Sequence, residues 1–566
     1  MPASRQADAG ERLILLATVG FVALVSVVPL ARLLWEAFAP GGRLDTGVLA
    51  SVLSSRSTWI AAWHSVKTAV LGSAISLVLG GAFACLVVLF DLRAKGALVF
   101  AFLTPLMIPP QISALAFAQL GGPASPLLRT LGLAPKLGTP NPFFSEAGIV
   151  LVLGIQHAPL VFLAVRTALR ALPREQIEAA RASGAGRLFT LRTVILPLMT
   201  PALVAGGALA FVSAIGNFGI PAFLGIPAGY TVLPTLIYQR LASFGPSIIA
   251  EAAVLSILIG CLAALGFAVQ ALMLRRRDFR LAGSARADAH FPLRHWRLPA
   301  ELLAWGVIAL ILVAPLSGLL ATSLVTAYGV PLSSATVTLQ NFAEVLFRQD
   351  ATVRAFRNSF LLAGGAALFL MCVAVPFAYL VTWKRGRLAS ALNMAAEVPY
   401  ALPGIVLGIA AILLFIRPLP LLGVSLYNTI WIIFLAYLAR FLVLAARPVA
   451  ASLLQIDRAL EEAARMTGAG FAFRLRTVVV PLLAPATAAG GLLVFMTAFN
   501  ELTVSALLWS AGNETLGVVV FNLEDAGRSV LAAAVSVVSV AVTVALMLLA
   551  SVLGKRLPPG TVPWRN

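Results

Sequence analysis

Charged side chains are scarce in this sequence: Asp, Glu, Lys and Arg make up only 11% of its 566 residues, and 60% are hydrophobic. Soluble globular proteins carry roughly a quarter charged residues. A helix that crosses a membrane needs roughly 20 predominantly apolar residues, and the sequence contains many such runs. The shortage of charge therefore excludes a soluble globular protein and places most of the chain in lipid.

Residues that carry chemistry are equally scarce. The three cysteines, Cys85, Cys261 and Cys372, lie in apolar runs, which argues against a disulfide framework or a cysteine metal site. We interpret them as small, buried apolar side chains. No Gly-x-x-x-x-Gly-Lys-Ser/Thr phosphate cradle occurs, and the four histidines form no His-Glu-x-x-His. We therefore expect no enzyme activity, and neither a metal nor a cofactor bound by this chain.

The net charge of +19 does not indicate nucleic acid, because the arginines lie in short loops between apolar runs. Cytoplasmic loops of membrane proteins carry an excess of Lys and Arg. Placing both termini in the cytoplasm puts most of the 41 lysines and arginines on that side. The first apolar run shows no small-residue cleavage site, so we expect a retained first helix rather than a signal peptide.

The apolar runs predict an all-α membrane protein with twelve membrane-spanning helices. Their approximate limits are 13–34, 68–90, 97–119, 147–169, 202–224, 250–273, 302–325, 359–383, 391–415, 428–446, 486–508 and 530–553.

The chain also repeats itself. Adding 294 to a residue number pairs Pro105 with Pro399 and Pro109 with Pro403, and further along the best offset is 284. Positions that this later offset pairs are called matched positions below. Because each half has six helices, an even number, the two copies point the same way, as parallel repeats do. We predict a first six-helix repeat at 1–273, an Arg-rich cytoplasmic linker at 274–301 and a second six-helix repeat at 302–566.

A longer loop follows the fourth predicted helix of each repeat. It reads EAARASGAGRLFTLRTVILP from Glu178 to Pro197 and EAARMTGAGFAFRLRTVVVP from Glu462 to Pro481. Alanine favours a helix, an acid is favourable near its start, and a glycine can end it in a left-handed turn. The spacing predicts a compact helix–turn–helix knob in each repeat. The residues that define the two knobs are Glu178, Ala179, Ala180, Gly184, Pro197, Glu462, Ala463, Ala464, Gly468 and Pro481.

Both loops resemble the EAA loop of ATP-binding-cassette (ABC) importer permeases, departing only at Val194, Val478 and Val480. The resemblance implies that each knob docks on a copy of an ABC ATPase subunit, and that this partner binds ATP and Mg. Small alanines permit close approach, and a rigid knob can transmit motion as a rigid body. The alternative is an ordinary amphipathic helix with basic residues on lipid headgroups, which two copies at matched spacing argue against.

Nearly the whole chain resembles fused, two-repeat ferric-iron (Fe³⁺) importer permeases of the binding-protein-dependent transport family. Supporting stretches are PYALPGIVLGIA (399–410), FNELTVSALL (499–508) and GNFGIP (216–221). The resemblance implies a type I ABC importer transmembrane domain (MetI-like) in the bacterial inner membrane, a periplasmic substrate-binding protein as partner, and ferric iron as substrate. Thiamine, aminoethylphosphonate, polyamine and sulfate permeases share this fold and loop. A gradient-driven secondary transporter also uses repeats but lacks paired EAA loops.

Ionisable groups inside a membrane are functional candidates by default. Glu397 and Arg440 lie at similar depth in the ninth and tenth predicted helices. We expect them to form an ion pair, and a structural clamp is favoured over a role with substrate.

A second polar group follows the EAA loops directly. Asn217 lies in the fifth predicted helix and Asn500 and Glu501 in the eleventh, and Asn217 and Glu501 are matched positions. The family resemblance suggests that these helices line the transport pathway. The alternative is a hydrogen bond between helices. Gln111, Gln156 and His157 are weaker candidates, and His157 is expected to pack in the core.

Overall fold

The computed structural model describes residues 2–172, 174–243, 245, 247–275, 291–384, 386–418 and 423–553. Within these ranges ten helices are long and apolar enough to cross a membrane, and two sharply bent helix pairs bring the number to as many as twelve. The bent pairs stand where the third and ninth spans were predicted. The all-α membrane class is therefore confirmed. Residues 276–290 of the predicted linker lie outside the described residues.

The helices of the chain up to the linker are α1 Pro2–Val22, α2 Val28–Phe38, α3 Gly47–Ser54, α4 Arg56–Leu89, α5 Lys95–Met107, α6 Pro110–Gly121, α7 Pro126–Thr130, α8 Glu146–Arg170, α9 Arg174–Ala182, α10 Arg187–Thr190, α11 Leu196–Ile215, α12 Gly219–Leu224, α13 Leu233–Leu241 and α14 Ile248–Arg275. The helices after it are α15 Arg297–Ile308, α16 Ala314–Ser323, α17 Gln340–Ala343, α18 Asp350–Tyr379, α19 Arg387–Ala401, α20 Gly404–Phe415, α21 Ile430–Leu453, α22 Ala459–Met466, α23 Phe471–Arg474, α24 Val480–Phe499, α25 Ser505–Leu508, α26 Leu516–Asp525 and α27 Ser529–Leu553. Short π-helical turns join several of them: Ala23–Val27, Leu191–Ile195, Ala309–Val313, Glu344–Arg348, Leu380–Lys384 and Leu475–Val479.

The two bent pairs, α5–α6 and α19–α20, turn by 100° and 109°. Their cause is local, because the residue before a proline is pushed out of the helical region. Ile108 precedes Pro109 with ψ 132°, and Leu402 precedes Pro403 with ψ 146°. The predicted spans 97–119 and 391–415 are therefore not single straight helices.

Two other predicted spans end early. The helix predicted at 202–224 stops at Ile215, and the one predicted at 486–508 stops at Phe499. Both begin earlier than predicted, because the helix continues backward through a π-helical turn into the EAA loop. Asn217, Asn500 and Glu501 therefore lie just after the ends of α11 and α24, in the turns that lead to the short helices α12 and α25.

Each repeat has a core of three helices: α4, α8 and α11 in the first, and α18, α21 and α24 in the second. Glycines allow close approach there. A Cβ on Gly80 would collide with the carbonyl oxygen of Ala158, and one on Gly490 with that of Ala445, as is typical of packed membrane helices. The first helix of each repeat crosses to the other repeat, α2 packing on α20 and α16 on α6. This exchange ties the repeats together at their broken helices.

The outward surface is apolar, with Val78, Leu310 and Leu368 each about two-thirds or more exposed. Such a surface suits lipid rather than water. Cys261 and Cys372 are exposed as well, and Cys85 is half-buried. The interpretation of the cysteines as buried is therefore wrong for Cys261 and Cys372. The sequence showed that they lie in apolar helices but not which face of the helix they occupy.

Candidate functional site

The two EAA loops have the same backbone turn. Gly184 and Gly468 both adopt φ +80°. The N–H of Ala185 donates to the carbonyl of Ala180 at 3.1 Å, and the matching bond from Ala469 to Ala464 is 3.3 Å. This is the six-to-one hydrogen bond of a helix that ends in a left-handed glycine. A Cβ at either glycine would meet nothing within 4 Å, so the backbone conformation alone demands glycine there.

The exposed faces of the two knobs also match. Glu178 and Glu462 are exposed, as are their neighbours Ala179 and Ala463. Ala180 and Ala464 are half-buried, and Pro197 and Pro481 lie in the first turns of α11 and α24. The structure thus forms the two helix–turn–helix knobs that the spacing predicted, while their docking role stays a prediction.

Each knob also has an exposed aromatic residue that was not predicted from the sequence. Phe189 is 61% exposed and Phe473 is 63% exposed, and the two are matched positions. Both lie in the EAA loops, where an exposed apolar side chain can face a partner or the lipid headgroups. The sequence signal was available, because an identical aromatic residue occupies the same position of both loops.

Asn217 and Glu501, which the repeat matches, do the same structural job. The N–H of Ile220 donates to Asn217 Oδ1 at 3.0 Å, at the start of α12. The Glu501 carboxylate accepts the N–H groups of Val504 at 2.9 Å and Ser505 at 3.1 Å, at the start of α25. Both side chains are buried. Each satisfies N–H groups that a helix start leaves without a partner.

Asn500 makes the kind of bond that was the alternative to lining the pathway. Its Nδ2 donates to Thr543 Oγ1 at 2.9 Å, and its Oδ1 accepts from Ser539, so it joins α24 to α27. Its backbone carbonyl accepts from Gln111 Nε2 at 3.1 Å. Because Gln111 belongs to α6 of the first repeat, this last bond crosses between the repeats.

The turn after α11 lies close to the broken helices of both repeats. A Cβ on Gly216 would lie 3.0 Å from Pro403, and one on Gly219 would lie 3.0 Å from the backbone N of Gln111. Aromatic rings fill the adjacent space, with Phe521 of the second repeat against three rings of the first. Those rings are Phe218 at 6.0 Å, Phe223 at 5.6 Å and Tyr238 at 5.7 Å between centroids. Asn217, Asn500 and Glu501 therefore border the seam where the repeats face each other.

The predicted ion pair between Glu397 and Arg440 is wrong in its partner. Glu397 Oε2 lies 2.6 Å from Nη2 of Arg447, while the Arg440 guanidinium lies against Gly404. Arg447 stands about two helical turns further along α21. The predicted tenth span ended at 446, which placed Arg447 in a loop, whereas α21 continues to Leu453. Arg447 therefore lies within this helix and pairs with Glu397.

Gln156 and Arg440 are matched positions, and each lies beside the helix break of its own repeat. Gln156 Nε2 donates to the carbonyls of Pro105 at 2.8 Å and Ile108 at 3.0 Å. Those carbonyls lose their helical partners at the bend, and an unsatisfied carbonyl in lipid is costly. His157 beside it is buried. Across the described ranges, no group of three or more His, Cys, Asp or Glu side chains is placed to hold a metal ion.

Comparison with known proteins gives two matches to one family. Residues 72–278 and 374–561 each match the family described as "Binding-protein-dependent transport system inner membrane component". These segments contain both EAA loops and most of the spans.

Individual relatives agree in kind but not in cargo. The chain is 27% identical to a probable ABC transporter permease protein, y4fN, of Sinorhizobium fredii over 95% of this chain and 94% of that protein. It is 25% identical to the ferric transport system permease protein FbpB of Actinobacillus pleuropneumoniae, over 80% of this chain and 64% of that protein. It is 29% identical to a putative 2-aminoethylphosphonate transport system permease protein of Salmonella choleraesuis, over 38% of this chain and 75% of that protein.

Proposed function

The chain belongs to the family of binding-protein-dependent transport system inner membrane components and is a multi-pass ABC importer permease, and we propose that each of its two EAA loops docks one ATPase subunit. The observation that carries the proposal is the matched pair of knobs. Both have a glycine at φ +80°, an exposed glutamate and an exposed phenylalanine at equivalent positions. A partner that binds both knobs in the same way would explain why these exposed groups occur at equivalent positions.

The partner supplies the energy in this proposal. The sequence has no phosphate cradle, so ATP and Mg are bound and ATP is hydrolysed on the separate subunits. ATP binding shifts the permease between states that open to opposite sides of the membrane. Such a shift requires that the ATP-bound ATPase subunits bind the two states of the permease with different affinities. A periplasmic binding protein delivers the cargo to the face opposite the knobs, and both termini lie on the knob side.

Ferric iron is the proposed cargo. The support is the ferric transport permeases, to which the chain is similar over 66–80% of its length. A phosphonate cargo is the second candidate, because the aminoethylphosphonate permease has a higher identity of 29% over a shorter segment. Uptake of radiolabelled ferric iron and of aminoethylphosphonate, compared in cells with and without this permease, decides between them. Uptake that follows the permease for neither compound would reject both.

The docking proposal is tested by purification. The solubilised permease is isolated with its partners, as wild type and with both knob glutamates reversed (Glu178→Arg, Glu462→Arg). We expect an ATPase subunit with the wild type and its loss from the variant. The matched control reverses two exposed acids on the opposite face, Asp45→Arg and Asp350→Arg, and should keep the subunit. A wild-type permease that binds no ATPase would contradict the proposal.

A further inference from the structure

The second EAA loop is braced by a buried ionic cluster. The Arg474 side chain is only 3% exposed, and its Nε lies 2.6 Å from Glu461 Oε1. Its Nη1 donates to the carbonyl of Ala469 at 2.7 Å, inside the knob. Its Nη2 lies 3.6 Å from Oε2 of Glu11. One arginine therefore joins the two arms of the knob to a third element.

That third element is the first helix of the other repeat. Glu11 lies in α1, which contacts α23 of the knob, and its second oxygen pairs with Lys384 at the end of the π-helical turn Leu380–Lys384. The same turn is held by Arg458, whose guanidinium donates to the carbonyl of Trp383. Glu11 thus connects the knob of the second repeat to a helix that crosses the membrane.

The first EAA loop is built differently at the matched positions. Glu461 corresponds there to Ile177 and Arg474 to Thr190, and both of these residues are buried. The first helix of the second repeat, α15, also contains an acid, Glu301. That acid accepts the backbone N–H of Arg93 at 2.7 Å and Arg297 Nε at 3.1 Å, on the turn after α4. The two knobs have the same backbone turn but different buried side chains at these two positions.

A continuous path leads from Glu11 to the central seam. Helix α1 runs through the π-helical turn Ala23–Val27 into α2, and α2 packs on α20. Helix α20 begins at the break beside Pro403, which lies against Gly216 of the first repeat. A buried ion pair holds its partners in one geometry, because separating them leaves an uncompensated charge.

We propose that Glu11 is a positioning residue that fixes the second knob to α1, so that movement of this knob is passed through α1 and α2 to the broken helix α20. The proposal rests on the proposed docking of an ATPase subunit at the knob. The proposal makes the two knobs unequal. Movement of the second knob reaches the seam through the buried Glu11–Arg474 ion pair, which we call the strut, and movement of the first knob does not use that ion pair.

The first test measures coupling in the assembled transporter. The permease, its ATPase subunit and its binding protein are reconstituted in liposomes, and cargo uptake per ATP hydrolysed is compared for wild type, Glu11→Gln and the control Glu301→Gln, which changes the acid in the first helix of the other repeat. We expect Glu11→Gln to lower this ratio by about 5-fold or more, the scale of an allosteric coupling, and Glu301→Gln to leave it unchanged. A general loss of folding lowers uptake and hydrolysis together and leaves their ratio unchanged, so a lowered ratio reports lost coupling and not misfolding. An unchanged ratio for Glu11→Gln overturns the proposal.

The second test needs no ATPase and separates this proposal from the docking proposal. Amide hydrogen exchange of the permease alone should become faster at 471–479 in Glu11→Gln and stay unchanged at 187–195, the same segment of the first knob. Equal exchange in wild type and variant overturns the strut whatever the ATPase does. A wild-type permease without an ATPase partner refutes only the docking.

A third variant checks the route. Glu461→Ile with Arg474→Thr gives the second knob the residues of the first, which are accommodated at the matched positions of that knob. We expect this variant to lose as much coupling as Glu11→Gln, with no further loss when the changes are combined, as for residues that act as one unit. A further loss in the combined variant would show that Glu11 acts apart from Arg474 and would overturn the proposal.

Discussion

Replacing both turn glycines of the knobs by alanine tests whether docking requires the left-handed turn. Gly184 and Gly468 have φ +80°, and a residue with a Cβ pays about 1–2 kcal/mol for this conformation. A Cβ meets nothing within 4 Å at either site, so the cost is conformational and not steric. Because nothing holds the turn in place, each alanine variant can relax to another backbone conformation in the free permease. The conformational cost then appears when the ATPase subunit binds, because binding requires the left-handed turn. Each substitution should weaken ATPase binding by about 5- to 30-fold.

The chain offers a matched control for this experiment. Gly186 and Gly470 lie two residues further on, and a Cβ at either would also meet nothing within 4 Å. Gly470 has φ −64°, which any residue adopts. The affinity of the solubilised permease for its ATPase subunit is measured for wild type, Gly184→Ala with Gly468→Ala, and Gly186→Ala with Gly470→Ala. Equal affinities for the two double variants would refute the reasoning, because the left-handed turn would then have no role in docking.

Three further predictions concern the membrane part and the opposite face. Gln156→Leu leaves the carbonyls of Pro105 and Ile108 without their donor, so thermal unfolding in detergent should show a loss of about 1–3 kcal/mol; unchanged stability would mean that another group satisfies them. A double-mutant cycle of Glu397→Gln with Arg447→Met should show a coupling energy of about 0–1 kcal/mol, as for a partly exposed pair, above that measured with Arg440→Met, and a larger coupling to Arg440 would contradict the pairing. Burial raises the pKa of Glu514, but the N–H of Gly512 and the Arg354 guanidinium outweigh it and hold that pKa below its ordinary value. Glu514 anchors the loop before α26 by accepting these two bonds. This anchoring is present above the pKa of the unfolded chain and is lost as pH falls through the folded pKa. Hydrogen exchange of residues 510–515 measured against pH checks this, and Glu514→Gln should abolish the dependence.

The membrane spans could be predicted because apolar runs of sufficient length have few other stable arrangements. The breaks in two of them could not be placed, although Pro109 and Pro403 stood at equivalent positions of the repeats. Proline is tolerated inside a membrane helix wherever another group satisfies the freed carbonyls. At the first break that group is Gln156, which lies far from Pro109 in the sequence, and only the fold brings the two together.

The error at Glu397 has a different origin, because it comes from misplaced helix ends. The predicted spans began at 391 and ended at 446, whereas α19 begins at Arg387 and α21 continues to Leu453 through Pro448. Arg447 therefore lies inside a helix and not in a loop. Asn217 and Glu501 illustrate the opposite case: the repeat matched them correctly, but only the structure shows that both cap short helices.

Matched positions that keep their place but change their chemistry carry the most functional information in this chain. Gln156 and Arg440 both attend a helix break, Asn217 and Glu501 both cap a helix, and the pair Ile177 and Thr190 replaces the pair Glu461 and Arg474. In a dimer of identical subunits any brace on one EAA loop would be copied on the other. Fusion of the repeats removes that constraint, so Glu11 can contact Arg474 of the second loop without a copy of this ion pair at the first loop. If the Glu11–Arg474 ion pair carries coupling, the two ATPase subunits act on one permease through different contacts. Equivalent substitutions in the first and the second knob should then change cargo uptake per ATP hydrolysed by different amounts.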